Sequence, residues 1–463
     1  MKITFSIRNS ILSKRAAAAL TFAAALLAAP TARAQLAFSG SQKPVITVTP
    51  ESSTGLKAVY VVDNTPGVTA SYTAASASAQ VTWKRFSNLG GGYAEDVPFT
   101  CSGATTSVTL TADDMGYIVE EGGRQTCFWI VNYANHTCSL QALAVNPEAD
   151  CSTTTLDLTG DAARISYYSV SGVQKQLSRD LTLEYNSMEY NADARSWSPN
   201  TVTENIEAVT GSIHCAAPLR DTEFTLSGDR FQRQWGQEQH VSTTTFATNA
   251  ISAETWADQE VREADNEQGG SEDASTLGGS APAVITFGAA VTDAVVFREW
   301  QFSADDRFDI IDLRINEDET TRTFEEYGTT YVRFVGGNAD GSCEYISPTY
   351  QVYIGESRLE CPNAFSPNDD GVNDQWKVSY KSLISFECHI YNRWGLEMCS
   401  FKDPSQGWDG RYNGKKVPSG VYYYVIQAKG SDGRNYKKAG DINIINYTLT
   451  PGSSGSGDIT PAE

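Results

Sequence analysis

Along most of this chain apolar and polar residues alternate with a period of two, and a helical period is almost absent. Val45-Ile46-Thr47-Val48-Thr49, Gln80-Val81-Thr82-Trp83-Lys84, Leu181-Thr182-Leu183-Glu184-Tyr185 and Thr330-Tyr331-Val332-Arg333-Phe334 are short β-branched and aromatic runs. Gly, Asn, Asp and Pro separate such runs at intervals of roughly ten residues, the spacing of half-buried strands joined by turns. Cys127 to Tyr133 (CFWIVNY) is apolar almost throughout and predicts a central strand buried on both faces. Apart from an apolar run near the N-terminus, only Ile251–Glu263 suggests a helix. The pattern predicts an all-β chain of tandem sandwiches: residues 35–151, a β-rich module at 152–275, a sandwich at 276–357, a C-terminal sandwich at 358–449, and a Gly/Ser-rich tail at 450–463.

The first 34 residues read as an export signal. Lys14-Arg15 precedes the apolar run Ala16–Ala29, and Pro30 and the small-residue site Ala32-Arg33-Ala34 follow. That run has 14 residues, too few for the about 20 needed to span hydrocarbon. The expectation is therefore a cleaved signal peptide with no transmembrane segment after it. Beyond residue 34, 56 Asp and Glu face 30 Lys and Arg, a net charge of −26. Such an excess argues against nucleic acid as a partner, because phosphate binding needs clustered cations, and against adhesion to an anionic bilayer. Export also changes how the nine cysteines read, since an oxidising compartment favours disulfides. No Cys-x-x-Cys pair points to zinc or thioredoxin-like chemistry. Sequence neighbours give Cys101–Cys127 and Cys138–Cys151 as expected pairs, with a third among Cys343, Cys361, Cys388 and Cys399. Nine is odd, so at least one thiol is left over.

Chemistry-bearing motifs are scarce. His136, His214, His240 and His389 are scattered, and no nucleophile elbow, phosphate-cradling loop or metal-binding helix occurs. The chain is expected not to be an enzyme and to hold no catalytic residue, resident cofactor or metal. Glu260 to Glu272, strongly acidic and almost without apolar content, reads as a solvated linker. In the first module Asp113-Asp114-Met115-Gly116-Tyr117 resembles the corner of an immunoglobulin-like sandwich, where a tyrosine hydroxyl ties the turn to the backbone. Trp300-Gln301-Phe302-Ser303 and Phe324 to Val332 resemble the two halves of a PKD-type sandwich.

Four blocks beyond Cys361 are more specific: CPNAFSPNDDGVNDQW (361–376), FECHIYNRWG (386–395), WDGRYNGKKVPSGVYYYVIQAKG (408–430) and AGDINIIN (439–446). In order and spacing they resemble the gliding-motility-associated C-terminal domain, the type B sorting domain of the Bacteroidetes type IX secretion system. The resemblance rests on Pro362, Asn363, Phe365, Pro367, Asn368, Asp370, Gly371, Asn373 and Asp374, then Asn392, Arg393, Trp394 and Gly395, then Trp408, Asp409, Gly410, Gly414, Pro418, Gly420, Tyr422 and Tyr424. It implies a β-sandwich address read by the type IX translocon and sorting machinery, with passage across the outer membrane to the cell surface or medium. The added tail, Tyr447 to Glu463, departs from the family pattern. The loop Asn368–Asp374 also has oxygen ligands about a glycine, as a calcium loop does; an Asx-turn network is the expected alternative. Three functions fit: an adhesin-like or structural surface protein, a carbohydrate-binding or carbohydrate-active one, or an accessory part of the secretion or gliding machinery.

Overall fold

The computed structural model describes residues 35–147, 150–269 and 277–445. The expected signal peptide and the 450–463 tail lie outside the described residues. The chain forms two compact units, one of residues up to Thr137 plus Ile165–Leu177, the other of Cys138–Arg164 and everything from Ser178 onward.

The first unit is a sandwich. A four-stranded sheet runs Gln35–Ser39, Thr69–Thr73, Thr105–Thr109, Thr100–Ser102, and faces a six-stranded sheet centred on Ala58–Val62, Arg124–Asn132 and Met115–Glu121. Trp83, Tyr117, Phe128 and Ile130 fill the space between. The expected central strand is Arg124–Asn132, paired parallel to Ala58–Val62 and antiparallel to Met115–Glu121. Its second apolar face has a concrete cause: the hairpin Ile165–Tyr168/Gln174–Leu177 covers it, with Tyr168 5.6 Å and Phe86 5.7 Å from the Trp129 ring. The corner at 113–117 is closed otherwise than expected. Asp114 accepts from the Asn132 backbone N–H at 2.7 Å and the Asn132 amide donates to the Ala112 carbonyl at 2.7 Å, while Tyr117 stacks on Phe128 inside the core.

The second unit opens with another sandwich. One sheet is Ser139–Val145, Thr153–Asp161, Ser212–Ala216; the other is Ser196–Ile206, Leu181–Asn191, Thr225–Gly228, Gln239–Ser242. The strand before residue 151 pairs with the one after it, so the boundary placed at 151/152 runs through a hairpin. Asp229 caps the short helix Arg230–Gln234, and its other oxygen holds the buried Arg179 guanidinium at 2.7 Å. Next comes a sandwich of Ala253–Gln259, Ala283–Val291 and Glu319–Phe324 against a sheet containing Phe297–Ser303, Gly328–Gly337 and Tyr350–Ile354. The helix expected at 251–263 is thus a strand: Ala253–Gln259 pairs residue for residue with Val291–Ile285. Its alternation was masked by two alanines that read equally well in a helix.

The disulfide pairing also differs. Cys151 bonds Cys343, 192 residues on, at a Cα separation of 5.6 Å. Cys101 lies exposed on the edge of the four-stranded sheet while Cys127 is buried in the six-stranded one. Cys138 is sealed in the second core, where burial pushes its thiol up to about 12. Cys101 and Cys127 thus sit in opposite sheets of one sandwich, and Cys138 lies inside the core while Cys151 is exposed at a turn. Cys361, Cys388 and Cys399 stay free around the C-terminal core. Denatured but unreduced protein should therefore take up seven equivalents of a thiol reagent, rising to nine on reduction. Nine without reduction would remove the Cys151–Cys343 bond.

The C-terminal module is a five-stranded sheet in the order Ala364–Phe365, Asn435–Ile444, Gly420–Gly430, Leu383–Tyr391, Glu397–Phe401. The acidic stretch before it is no free linker over its described part. Asn266 donates to the Val378 and Pro404 carbonyls at 2.7 and 2.8 Å. The Gln268 N–H reaches the Tyr380 carbonyl at 2.6 Å, and Lys377 holds Asp265 at 2.9 Å. Ser382 N–H to Ser280 Oγ at 2.8 Å and Ser431 Oγ to the Gly355 carbonyl at 3.0 Å add to this strap.

Candidate functional site

The motif blocks converge on one core. Trp376 and Trp408 exchange backbone hydrogen bonds at 2.8 and 3.0 Å, and both indoles are buried. Their ring N–H groups donate to the Pro362 and Arg411 carbonyls at 2.7 and 3.0 Å. Phe365 and Tyr422 pack on Trp408 with ring centroids 5.6 and 5.0 Å away, and Tyr424 on Trp376 at 5.1 Å. The Tyr422 hydroxyl donates to the Pro418 carbonyl at 3.0 Å. The Asn363 carbonyl accepts from the Asn443 N–H at 2.8 Å, tying the block to the last strand. Gly410 has φ +70°, and a Cβ there would stand 2.9 Å from Pro367, so a side chain would be strained twice over.

The loop after Pro367 is held by its own side chains. Asp374 accepts from the Asp369 and Gly371 N–H groups, both at 2.7 Å. Asp370 accepts from Val372 N–H and from the Asn368 amide, both at 2.8 Å. Asn373 sits at φ +52°, a conformation asparagine tolerates, and its carbonyl accepts from Ser366 N–H at 3.0 Å. Lys416 caps the Pro367 carbonyl and Asp369 at 2.8 and 2.7 Å. Asp409 accepts from Arg411 N–H at 3.0 Å, and Gly414 (φ +77°) turns the following hairpin. At the other end of the sheet, Asn392 accepts from the Trp394 and Leu396 N–H groups at 2.9 and 3.0 Å, and Gly395 (φ +79°) completes the turn. That turn lifts Trp394 into solvent at 79% exposure, with the Arg393 guanidinium 4.8 Å over its ring.

The outer face of the five-stranded sheet is the second exposed feature. On the central strand Gly420–Gly430 the outward positions are Val421, Tyr423 and Val425, each more than 40% exposed, then Gln427 and Lys429. Tyr391 and His389 stand opposite Tyr423 and Val425. Ser385, Glu387, Lys402, Gln427, Lys429 and Lys437 line a groove of about 680 Å³ at the far end.

Residues 359–444 match the CHU_C type IX secretion signal domain. The C-terminal module is a type IX secretion signal domain. Residues 143–243 match a fibronectin type III domain. No curated protein shows a significant match to the chain. Solved structures with similar sandwiches include the I9–I11 tandem of titin (9% identity, 62% of this chain and 92% of that one, TM-score 0.14). Others are fibronectin(III)-like modules of Clostridium thermocellum CbhA (11%, 43% and 100%, 0.17) and dimeric latent PorU of Porphyromonas gingivalis (11%, 70% and 36%, 0.15).

A type IX secretion signal domain indicates export by that system. Within it, the motif residues divide by burial. Phe365, Trp408 and Tyr422 build the core; Pro367, Asn368, Asp370, Gly371, Asn373, Asp374, Asp409 and Gly410 shape loops; Trp394 is the large apolar side chain offered to solvent, beside exposed Arg393. Every carboxylate of the 368–374 loop already accepts hydrogen bonds, and Lys416 occupies the place beside Asp369. A chelator is accordingly expected to leave the melting temperature unchanged, whereas Asp374→Ala, losing two charge-assisted bonds, should cost about 1–3 kcal/mol. A melting temperature that falls with chelator would reverse this reading. The Lys416 bond holds the Asp369 carboxyl below its usual range, and the Val372 N–H does the same for Asp370. Folded values below unfolded ones give stabilisation that is complete above the ordinary carboxylate range and is lost as pH falls through the folded values. The protection factor of the Val372 amide, its intrinsic exchange rate divided by the observed rate at the same pH, should therefore fall on acidification.

The strap and the lysine-lined groove went unread in the sequence. The open apolar face beside the groove did leave a signal, Val421-Tyr422-Tyr423-Tyr424-Val425, apolar at both parities, which a sheet with one solvated face does not need.

Proposed function

We propose that the protein is a surface-displayed, non-catalytic component: a row of sandwiches carried across the outer membrane by the type IX system and held at the cell surface in a structural or adhesin-like role. The observation carrying this reading is the match of residues 359–444 to the secretion signal family, on a module whose motif aromatics form one folded core. What the machinery receives is then a rigid end. The use of tryptophan upstream supports a structural cargo over a glycan platform. Trp83, Trp129 and Trp300 are buried, Trp235 is half-buried, and Trp256 is covered by Arg195 at 4.9 Å. The acidity of the upstream sandwiches keeps neighbouring copies apart by repulsion. Deleting residues 359–463 in a host with a type IX system should trap the chain in the periplasm. Normal surface display of that truncation would refute the sorting role.

A further inference from the structure

We propose that the outer face of the signal domain sheet, from Trp394 across Val421, Tyr423 and Val425 to Lys402, Lys429 and Lys437, is where a protein of the export machinery docks, through an apolar patch bordered by acidic side chains. The inference rests on the sorting role above and names the surface through which it acts.

Three observations converge on this face. Its centre is apolar and open: Val421, Tyr423 and Val425 are 43, 46 and 41% exposed on the middle strand of a five-stranded sheet. The first unit shows what the chain does with such a face when it is structural, for there the hairpin 165–177 covers Phe86 and Trp129. Here no described segment does so. The pocket beside Trp394, about 290 Å³ and bounded by Asn392, Arg393, Pro418 and Val421, continues the same surface around the turn.

The signal domain is close to neutral where the rest of the chain is strongly acidic, and this face gathers Lys402, Lys429 and Lys437 alongside Glu387 and Asp441. Residues 35–358 hold 19 Lys and Arg against 44 Asp and Glu, while residues 359–445 hold 11 against 10. Eight of the 12 lysines beyond residue 34 lie in the signal domain. Among the described residues, Lys429 and Lys437 make no ion pair, and Lys402 meets only Glu387, at 3.4 Å. Free lysines beside an open apolar strip give the anatomy of a protein interface: a desolvated centre with a charged border that sets orientation and on-rate. The complement is an acidic, partly apolar protein surface. A bilayer fits less well, because Glu387 and Asp441 point out of the same sheet. A sugar fits less well too, since aliphatic Val421 and Val425 offer hydroxyls no partner. The −25 of the upstream sandwiches would also repel such an acidic surface, which favours the signal domain as its landing place.

The test uses the full chain in a type IX host. Lys402→Glu/Lys429→Glu/Lys437→Glu should lower the surface-to-periplasm ratio roughly tenfold or more, with the melting temperature of the purified protein unchanged. Lys57→Glu/Lys84→Glu/Arg124→Glu in the first unit should export normally. A photo-crosslinking residue at 423 should capture a component of the export machinery, while one at exposed Tyr93 should not. If the triple variant fails to fold, the crosslink from position 423 in the otherwise native chain decides. Normal export of a folded triple variant overturns the assignment, as does a crosslink from 423 only to lipid or polysaccharide. Should the 359–463 deletion itself reach the surface, the sorting role fails. If that deletion is trapped while the triple variant is displayed, only this surface is wrong.

Discussion

Arg179→Ala is expected to destabilise the fibronectin-like sandwich by about 3–5 kcal/mol, the cost of leaving a buried partner charge uncompensated. The guanidinium side chain is 4% exposed and the Asp229 carboxylate 0%. Arg179 donates to Asp229 at 2.7 Å and to the Ala163 carbonyl at 2.6 Å, while the other Asp229 oxygen accepts from Gln232 N–H at 2.9 Å. Truncating the arginine therefore strands both a carboxylate and a carbonyl in a dry core. Asp229→Asn should cost less, because an amide oxygen still caps the helix. Urea unfolding of both variants measures the difference. A loss below about 1 kcal/mol for Arg179→Ala would mean that the pair is solvated.

Trp408→Ala should cost about 3–5 kcal/mol, a large part of the 5–15 kcal/mol that stabilises an ordinary domain. Phe365 and Tyr422 would lose the ring they pack on, and the Arg411 carbonyl its donor. Because the machinery is held to read a folded end, export should fall with stability. Trp394→Ala is the counter-case: it removes the same side chain from a site 79% exposed, where such changes stay within about 0.5 kcal/mol. Thermal melts of the two variants should thus differ widely. Equal melts would mean that burial does not govern this motif.

How much of this was legible in the sequence depends on whether the signal is local. Strand alternation is, and so the sandwich character and the buried strand at 127–132 could be read from residue order. The secretion motif is also local in its blocks, each a loop or turn fixed by its own Asx and Gly residues, such as Asp374 and Gly395. Long-range pairing is another matter. Cys151 meets Cys343 because two sandwiches bring a turn of one beside a turn of the other. Nothing in the spacing of either cysteine encodes that. The acidic 260–272 stretch misleads for a related reason: composition reports solvation, while Asn266 and Gln268 act through amide groups that bond another module's backbone. At the candidate docking face Lys429 and Lys437 come from two strands, Gly420–Gly430 and Asn435–Ile444, and Lys402 from just beyond Glu397–Phe401, and only sheet register gathers them.

The most direct measurement is a transplant. Residues 253–463, which keep the strap with the signal domain, would be fused behind a signal peptide and a folded periplasmic reporter in a host with a type IX system. Protease-accessible reporter on the outer surface is the expected result. Reporter that stays soluble in the periplasm, with the fused sandwich folded and intact, would contradict the view that this end of the chain is an address.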